Sequence, residues 1–384
     1  MKNIILFLIS IYCILSPFYL FDSGYPQLAD LFLILAFILF IFNYNLKKDR
    51  ILLLIAIISF LIVIINLTWG LIYQDISFNL SSLYYLFNFM PVIILLNLYY
   101  YFGDNILKYI YKAIFASVLI QVIISPFLIN VGMTRQTLMF NNPNQLGYYS
   151  LLTLCILTLL FYLLGYNLRQ YFIIIASTTY LSLLSNSSSA IFAVFLVILV
   201  QLFLIFIYRL NLKSKVYLLL FVILLSFFGV VFQKQISNVV LIDNAVTRIQ
   251  GKENKASDTF EERHYDRLFE HPELIIFGAG EGLLSQRFGS TEIHSTLMSF
   301  LFNYGVITMM FLIILFLLFL NKPSFISVVI IISIHFYGLT HNGIRQPYFW
   351  MLNTIILIGN SNGAFDFSTI KYIFRHQKYL TYKG

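Results

Sequence analysis

The stretch that decides the fold is Ile51–Ile65, ILLLIAIISFLIVII, which contains no charged residue. Uncharged runs of the same kind recur at Ala190–Ile207 and Val216–Phe232. Lipid offers no partner for backbone N–H and C=O groups, so a segment that crosses a bilayer must be a helix or part of a closed barrel. These runs lack the apolar–polar alternation of barrel strands. The sequence therefore predicts an all-α membrane protein.

The composition of the whole chain supports the same fold class. Of the 384 residues, 60% are hydrophobic and 10% are charged, and the mean hydropathy is +0.86. A soluble domain with apolar runs of this length along the whole chain is excluded. We predict one integral membrane domain, residues 1–384, with about twelve transmembrane helices. Their ranges are 4–20, 28–44, 51–69, 83–102, 109–129, 146–165, 171–185, 190–208, 216–233, 294–318, 325–340 and 347–360.

The distribution of basic residues predicts the orientation. Lys and Arg collect in cytoplasmic loops. With both termini in the cytoplasm, 15 basic residues lie inside and only Arg135 and Arg345 lie in short outer loops. The net charge of +8 is explained by this topology and needs no nucleic acid as partner. Segment 361–384, basic and aromatic, is predicted to be a cytoplasmic tail on anionic lipid.

One large extracytoplasmic loop, residues 234–293, is predicted between spans nine and ten. It holds 10 of the 16 acidic residues and 7 of the 24 basic residues. Its length exempts it from the charge rule. We expect this loop to be catalytic because it gathers the titratable groups of an otherwise apolar chain. Cys13 and Cys155 fall in predicted spans, where they are expected to fill the core rather than to form a disulfide or a metal pair.

Arg135 stands shortly before the sixth span, ahead of the turn formed by Asn142, Pro143 and Asn144. Asn144 is the expected N-cap of that span. An arginine in an outer loop runs against the charge rule, and its planar guanidinium suits bidentate binding of phosphate. The alternative interpretation is a capped helix with one surface arginine.

Arg263 and Arg267 are four residues apart, which predicts that they share one face of a short helix that Pro272 ends. Two guanidinium groups on one face could clamp an anion, or could pair with the neighbouring carboxylates on a solvated surface. The motif Gly278-x-Gly280-x-Gly282 follows. Without the strand–turn–helix context of a nucleotide site, it predicts a tight turn that returns the chain to the membrane.

His294 is predicted to open the tenth span, two residues after Glu292. An imidazole at the membrane surface, oriented by a carboxylate, could take a proton from a sugar hydroxyl. The alternative is a capping or interfacial histidine. In the last outer loop, His341 and Arg345 could hydrogen-bond a sugar. Without a DxD motif or a carboxylate cluster, the sequence gives no support for a metal or another cofactor.

Together these features resemble the O-antigen ligase and O-antigen polymerase family of bacterial envelope enzymes. The motif blocks that carry the resemblance are Arg135–Asn144, Arg263–Gly280 and Ile293–Gly305. The family often has a Ser-Arg pair where this chain has Ser187-Ser188, so the role of that arginine is either absent here or met elsewhere, with Arg345 as the candidate. The family also often has His-Asn where this chain has His294-Ser295.

The resemblance implies metal-independent glycan transfer from an undecaprenyl-pyrophosphate-linked oligosaccharide to an acceptor hydroxyl in a bacterial cytoplasmic (inner) membrane. Expected partners are this donor, a lipid-linked acceptor, membrane lipid, a chain-length regulator and a flippase. The implied catalytic residues are His294 as base, with Arg135 and Arg267 at the pyrophosphate. The candidate substrate-binding residues are Arg263, Asn142, Asn144, Arg345 and His341.

Two alternatives to a polymerase of repeat units are open. An O-antigen ligase uses the same chemistry and transfers the glycan to lipid A-core or to a protein. A flippase or transporter of lipid-linked oligosaccharides belongs to a different class and predicts internal pseudo-symmetry and charged residues inside spans. The predicted spans are nearly free of charge and no repeat is evident, which argues against the transporter. Richness in Phe and Tyr and a long loop of modest size are common in the polymerase branch, so polymerisation of O-antigen or capsule repeat units is the preferred hypothesis.

Overall fold

The computed structural model describes residues 1–22, 24–130, 133–208, 263–289 and 292–365. Within these ranges the chain forms α-helices and no strand, as the sequence predicted. The predicted ninth span at 216–233, the first part of the long loop at 234–262 and most of the basic tail at 366–384 lie outside the described residues.

Fourteen helices fall within the described ranges. Six of them, α3–α6, α8 and α12, are long and apolar enough to cross a membrane, and α1, α2 and α13 are shorter apolar helices. The chain is therefore a multi-pass membrane protein, and eleven of the twelve predicted spans coincide with a helix. The helices are α1 Lys2–Leu15, α2 Leu28–Asn43, α3 Arg50–Tyr73, α4 Ser77–Phe102, α5 Asp104–Leu128, α6 Pro143–Leu164, α7 Leu168–Ser185, α8 Ser188–Tyr208, α9 Arg267–Glu270, α10 Pro272–Phe277, α11 Leu284–Phe288, α12 Thr296–Phe319, α13 Phe325–Gly338 and α14 Pro347–Ser361.

Helix α6 is the centre of the bundle. In its most apolar stretch 94% of the residues are buried, against 28 to 44% in the other five candidate spans. A helix that is apolar on all sides is buried either in lipid or among other elements, and here α5, α7, α8 and α14 pack around α6. The other candidate spans keep an apolar face that is free to meet lipid. Because these helices pack on α6, the ends of several of them lie around the first turn of α6.

Helix α12 is broken in its first half. Gly305 has φ 74° and ψ 170°, which no helical residue adopts. A neighbouring backbone segment forms hydrogen bonds to the helix just before the break. The N–H groups of Ala279 and Gly280 donate to the carbonyls of Phe302 and Asn303 at 2.8 and 2.9 Å. Backbone groups away from water must be paired. The segment that follows α10 therefore completes the hydrogen bonding of the broken helix.

Residues 272–282, which we call the docked segment, lie against the bundle at this break. Gly305 follows the first residue of α12 by nine positions, which is about 13 Å along a helix. A Cβ atom on Gly305 would stand 2.5 Å from the Ile276 carbonyl oxygen, and one on Gly278 would stand 2.6 Å from that of Asn303. The Trp69 indole N–H donates to the Gly278 carbonyl at 2.8 Å. The predicted tight turn is thus held by backbone-to-backbone contacts with α12 and by the Trp69 side chain of α3.

We expect Gly305→Ala to destabilise the protein more than Gly165→Ala. Both glycines have positive φ, but nothing lies within 4 Å of a Cβ on Gly165. The control substitution carries the left-handed backbone cost alone, about 1 kcal/mol. At Gly305 the ψ of 170° lies outside the left-handed helical region, so alanine there is strained by about 1–3 kcal/mol, and the clash with the docked segment adds about 1–3 kcal/mol. Thermal unfolding of the purified protein in detergent measures the difference. Equal melting temperatures for the two variants would contradict the docking contact.

Candidate functional site

The sequence-predicted site residues that the structure describes converge on one end of the bundle. This end, which we call the outer end after the orientation predicted from the sequence, contains the first turns of α6, α12 and α14 and the last turns of α7 and α13. Seven of the eight lie on the outer surface or in its loops, while Arg267 is buried beneath it. The seven are Arg135, Asn142, Asn144, Arg263, His294, His341 and Arg345.

The turn before α6 holds Arg135 in place. Asn142, not Asn144, is the N-cap of α6, because its side chain accepts the Gln145 N–H at 3.0 Å in a capping box. This leaves the Asn144 side chain to accept a hydrogen bond from Arg135 Nη2 at 2.5 Å. Arg135 Nε also donates to the Ser185 carbonyl at 3.4 Å. The guanidinium is thus fixed beside the first turn of α6, while the Asn142 oxygen is occupied by the cap.

An aromatic stack connects this turn to the last outer loop. The Tyr337 ring lies between the rings of Tyr148, at 4.3 Å, and His341, at 4.6 Å. The Tyr337 hydroxyl donates to the backbone carbonyl of Asn144 at 3.0 Å. His341 Nδ1 is 2.7 Å from the Thr340 hydroxyl. The predicted substrate-binding residues Asn144 and His341 therefore belong to one packed unit.

The prediction that Arg263 and Arg267 share a helix face is wrong. Helix α9 begins only at Arg267, and His264 has φ 57°, which turns the chain away from a helix before it. Helix α9 does end just before Pro272, as predicted, and Pro272 starts α10 at its first position. Arg263 Nη1 donates instead to the Leu339 carbonyl at 3.3 Å, at the end of α13. The four-residue spacing of Arg263 and Arg267 therefore does not correspond to one turn of a helix.

Arg267 is buried, with 3% of its surface exposed. Its guanidinium lies over the rings of Phe288 and Phe302, at 5.0 and 5.6 Å. Burial lowers the pKa of Arg267, and Asp266 and Glu270 oppose this effect. A cation enclosed by aromatic rings stabilises the fold of the loop. The placement therefore favours Arg263 over Arg267 for direct contact with a substrate.

His294 is exposed and lies just outside helix α12. The N-cap of α12 is Ser295 and the helix begins at Thr296, so the prediction that His294 stands on its first turn is wrong, and so is the alternative that it caps the helix. The His294 backbone N–H donates to the Arg263 carbonyl at 3.1 Å. Its ring centroid is 5.9 Å from that of His264. The two imidazoles form a pair at the outer surface.

His264 was not predicted as a site residue, although it neighbours Arg263 in the sequence. Burial lowers the pKa of His264, and the positive charges of Arg267 and His294 lower it further, while Asp266 opposes them. At neutral pH an imidazole with a lowered pKa is mostly unprotonated and can accept a proton. The imidazole pair therefore contains two candidate bases.

Glu281 is the second residue that the sequence did not single out. It is buried, its carboxylate accepts hydrogen bonds from Arg345 Nη2 and, at 2.7 Å, from the Tyr304 hydroxyl, and its backbone N–H donates to the Asn66 side chain at 2.8 Å. Arg345 Nη1 is 3.3 Å from the Glu292 carboxylate. The Arg345 guanidinium thus lies between one buried and one half-exposed glutamate. The sequence feature that could have identified Glu281 is its position between two glycines in an apolar stretch.

Glu292 was expected to orient His294, but its described contacts lie elsewhere. Its carboxylate pairs with Arg345 and accepts a hydrogen bond from the Asn342 side chain at 3.5 Å. Both partners stand in the last outer loop, before α14. Glu292 therefore connects the chain that enters α12 to this loop, while the described ring contact of His294 is with His264.

Arg287 secures the far side of the docked segment. Its guanidinium lies over the rings of Trp69, Tyr73 and Phe78 at 4.7, 4.9 and 5.5 Å, and Nη1 donates to the Ala279 carbonyl at 2.6 Å. Burial lowers the pKa of Arg287. Cation–π contacts of this kind stabilise the packing of loop against helix.

Metal ligands do not cluster within the described ranges, where no group of three His, Cys, Asp or Glu side chains is placed to hold an ion. Cys13 and Cys155 are buried free thiols in α1 and α6, as expected for core residues.

We expect Glu281→Gln to be far more destabilising than Glu292→Gln, although both remove a partner of Arg345. Loss of one member of a buried ion pair costs about 3 kcal/mol. The half-exposed Glu292 contributes less than about 1 kcal/mol. Thermal unfolding in detergent, followed by tryptophan fluorescence, measures both variants. Similar losses in the two would show that Glu281 does not anchor Arg345 and the docked segment.

Comparison with known proteins does not assign the chain to a family. No protein-family model matches it, and no curated protein matches it. The resemblance to O-antigen ligases and polymerases therefore rests on the three short motif blocks named above and stays an inference from them.

Proposed function

We propose that the protein is a glycosyltransferase that polymerises undecaprenyl-pyrophosphate-linked oligosaccharide repeat units into a surface polysaccharide, an O-antigen or a capsule. The observation that carries the proposal is the convergence of the three motif blocks on one end of a membrane bundle. Arg135 on the first block, Arg263 on the second and His294 on the third lie at the same end, although up to 159 positions separate them in the sequence.

In the proposed reaction, a hydroxyl oxygen of the acceptor sugar attacks the anomeric carbon of the donor. The bond between this carbon and the pyrophosphate oxygen breaks, and its electron pair leaves with undecaprenyl pyrophosphate. The acceptor hydroxyl gives its proton to an imidazole, His294 or its neighbour His264. Arg135 and Arg263 stabilise the negative charge that develops on the leaving group.

The remaining polar groups of the outer end suit recognition of sugar hydroxyls. The loop between α13 and α14 presents His341, and Thr340 lies beside it. Arg345 is exposed over about a quarter of its side chain even while it pairs with two glutamates. Its remaining donors could meet a sugar or a phosphate oxygen. In this proposal Glu281 is a positioning residue, because it acts on the substrate only through Arg345.

We further propose twelve spans with both termini in the cytoplasm, which places the outer end outside. Support comes from the 15 basic residues assigned to the inner side against 2 in short outer loops.

Single cysteines at Gln74, between α3 and α4, and at Asn105, at the start of α5, distinguish the two orientations because both positions are exposed. In a background without Cys13 and Cys155, we expect an impermeant maleimide to label position 74 and not position 105 in spheroplasts. The opposite pattern would invert the topology.

Deletion and complementation of the gene test the function, with the surface glycan separated on a gel. A polymerase deletion leaves one repeat unit on the lipid core and removes the ladder. A ligase deletion removes all repeat units from the lipid core while lipid-linked polymer accumulates. Accumulation of single lipid-linked units on the cytoplasmic side indicates a flippase. The last two outcomes would each replace the proposed polymerisation.

We expect His294→Ala to lower glycan transfer by about 10²- to 10⁴-fold, the usual contribution of a positioned base. A base acts in its unprotonated form, so the activity should rise with increasing pH. This rise in the pH–activity profile should be absent in His294→Gln. His271→Ala is the matched control, since His271 pairs with Glu273 and makes an edge-to-face contact with Phe288, outside the imidazole pair.

The same pH profile separates the two imidazoles. If His264 is the base, the activity rises at a lower pH than an ordinary histidine would give, because the pKa of His264 is lowered. This rise in activity is then absent in His264→Gln and present in His294→Gln. Full activity in both single variants would remove this pair from the mechanism.

A further inference from the structure

A cleft of about 680 Å³ opens at the opposite end of the bundle from the candidate site. It lies where α3 begins and where α4, α12 and α14 end. Its lining combines basic side chains with aromatic and amide groups, among them Lys47, Lys48, Arg50, Asn97, Tyr100 and Asn321. None of these residues belongs to the proposed glycan-transfer machinery.

The cleft carries an excess of positive charge. Lys47, Lys48 and Arg50 are exposed at its rim. Among the described residues that line it, Asp49 is the one carboxylate. Asp49 is the N-cap of α3, and its side chain accepts the Ile51 N–H at 2.8 Å. The first turn of α3 adds the partial positive charge of a helix N-terminus. An anion that entered the cleft would therefore meet three cations.

The walls of the cleft are held by specific contacts. The Lys47 backbone N–H donates to the side chain of the buried Asn97 at 2.7 Å, and the Lys47 ammonium lies 4.4 Å from the centre of the Tyr100 ring. On the other side, the Asn362 side chain donates to the Tyr99 hydroxyl at 2.6 Å. These contacts link the α2–α3 loop, the end of α4 and the end of α14. The cation at position 47 is thereby kept at the cleft.

We propose that this cleft binds the phosphate of an anionic phospholipid headgroup. It stands at the ends of apolar helices, where headgroups lie, and basic pockets between helices at this level take anionic lipids. Tyr100, 59% exposed, and the leucines Leu318 and Leu357 line it with apolar surface for the start of the acyl chains. A zwitterionic lipid offers the same phosphate, but its own ammonium cancels the attraction to the three cations.

Binding of phosphatidylglycerol and phosphatidylethanolamine with identical acyl chains tests the proposal on the full-length protein in detergent, by native mass spectrometry and lipid-dependent thermal shift. We expect Lys47→Gln/Lys48→Gln/Arg50→Gln to bind phosphatidylglycerol about 10- to 100-fold more weakly than the wild-type protein. The matched control, Lys108→Gln/Lys112→Gln/Arg169→Gln, removes three exposed cations from the same end outside the cleft and should bind within about twofold of wild type.

Three results would overturn the proposal. Equal losses in the two triple variants would show that general positive charge suffices. Equal binding of phosphatidylethanolamine would remove the selectivity for anionic lipid. Stabilisation by inorganic phosphate equal to that by phosphatidylglycerol would assign the cleft to a soluble anion. Should the triple variant not fold, Lys48→Gln alone, at an exposed position, is expected to weaken phosphatidylglycerol binding about fivefold, and unchanged binding would count against the site.

Discussion

The hydrogen bonds between the backbone of the docked segment and the broken helix α12 are the constraint on which the outer half of the protein depends. A helix that breaks inside a membrane bundle leaves carbonyl groups without intrahelical donors, and each unpaired group costs several kcal/mol in an apolar environment. Ala279 and Gly280 supply those donors to Phe302 and Asn303. Neither the break at Gly305 nor the irregular docked segment is stable without the other.

This backbone contact also explains how charged side chains are accommodated inside the bundle. Because the docked segment lies against α3 and α12, Glu281 is buried next to Asn66 and Tyr304 and within reach of Arg345. Arg345 in turn contacts Glu292 at the entrance to α12. The polar groups of the outer end are therefore positioned by packed helices, which limits their movement more than a free loop would.

The two ends of the bundle differ in chemistry. The outer end pairs guanidinium and imidazole groups with carboxylates and hydroxyls, an arrangement suited to proton transfer and to stabilising a leaving phosphate. The opposite end places the ammonium groups of Lys47 and Lys48 and the Arg50 guanidinium around a cleft in which Asp49, already engaged as a helix cap, is the one carboxylate among the described lining residues. The central helix α6 separates the two ends and carries no charged residue.

The sequence by itself determined that the chain is all-helical and where most helices lie, because uncharged runs such as Ile51–Ile65 can satisfy their backbone in lipid only as helices. It also located the turn before α6, although the cap is Asn142 and not Asn144. Only the tertiary structure decided the site. The spacing of Arg263 and Arg267 predicted that they share a helix face. The left-handed backbone conformation of His264 prevents one helix from including both residues. The pairing of Glu281 with Arg345 spans 64 positions, and contacts between distant segments depend on which helix faces pack together, which local periodicity does not encode.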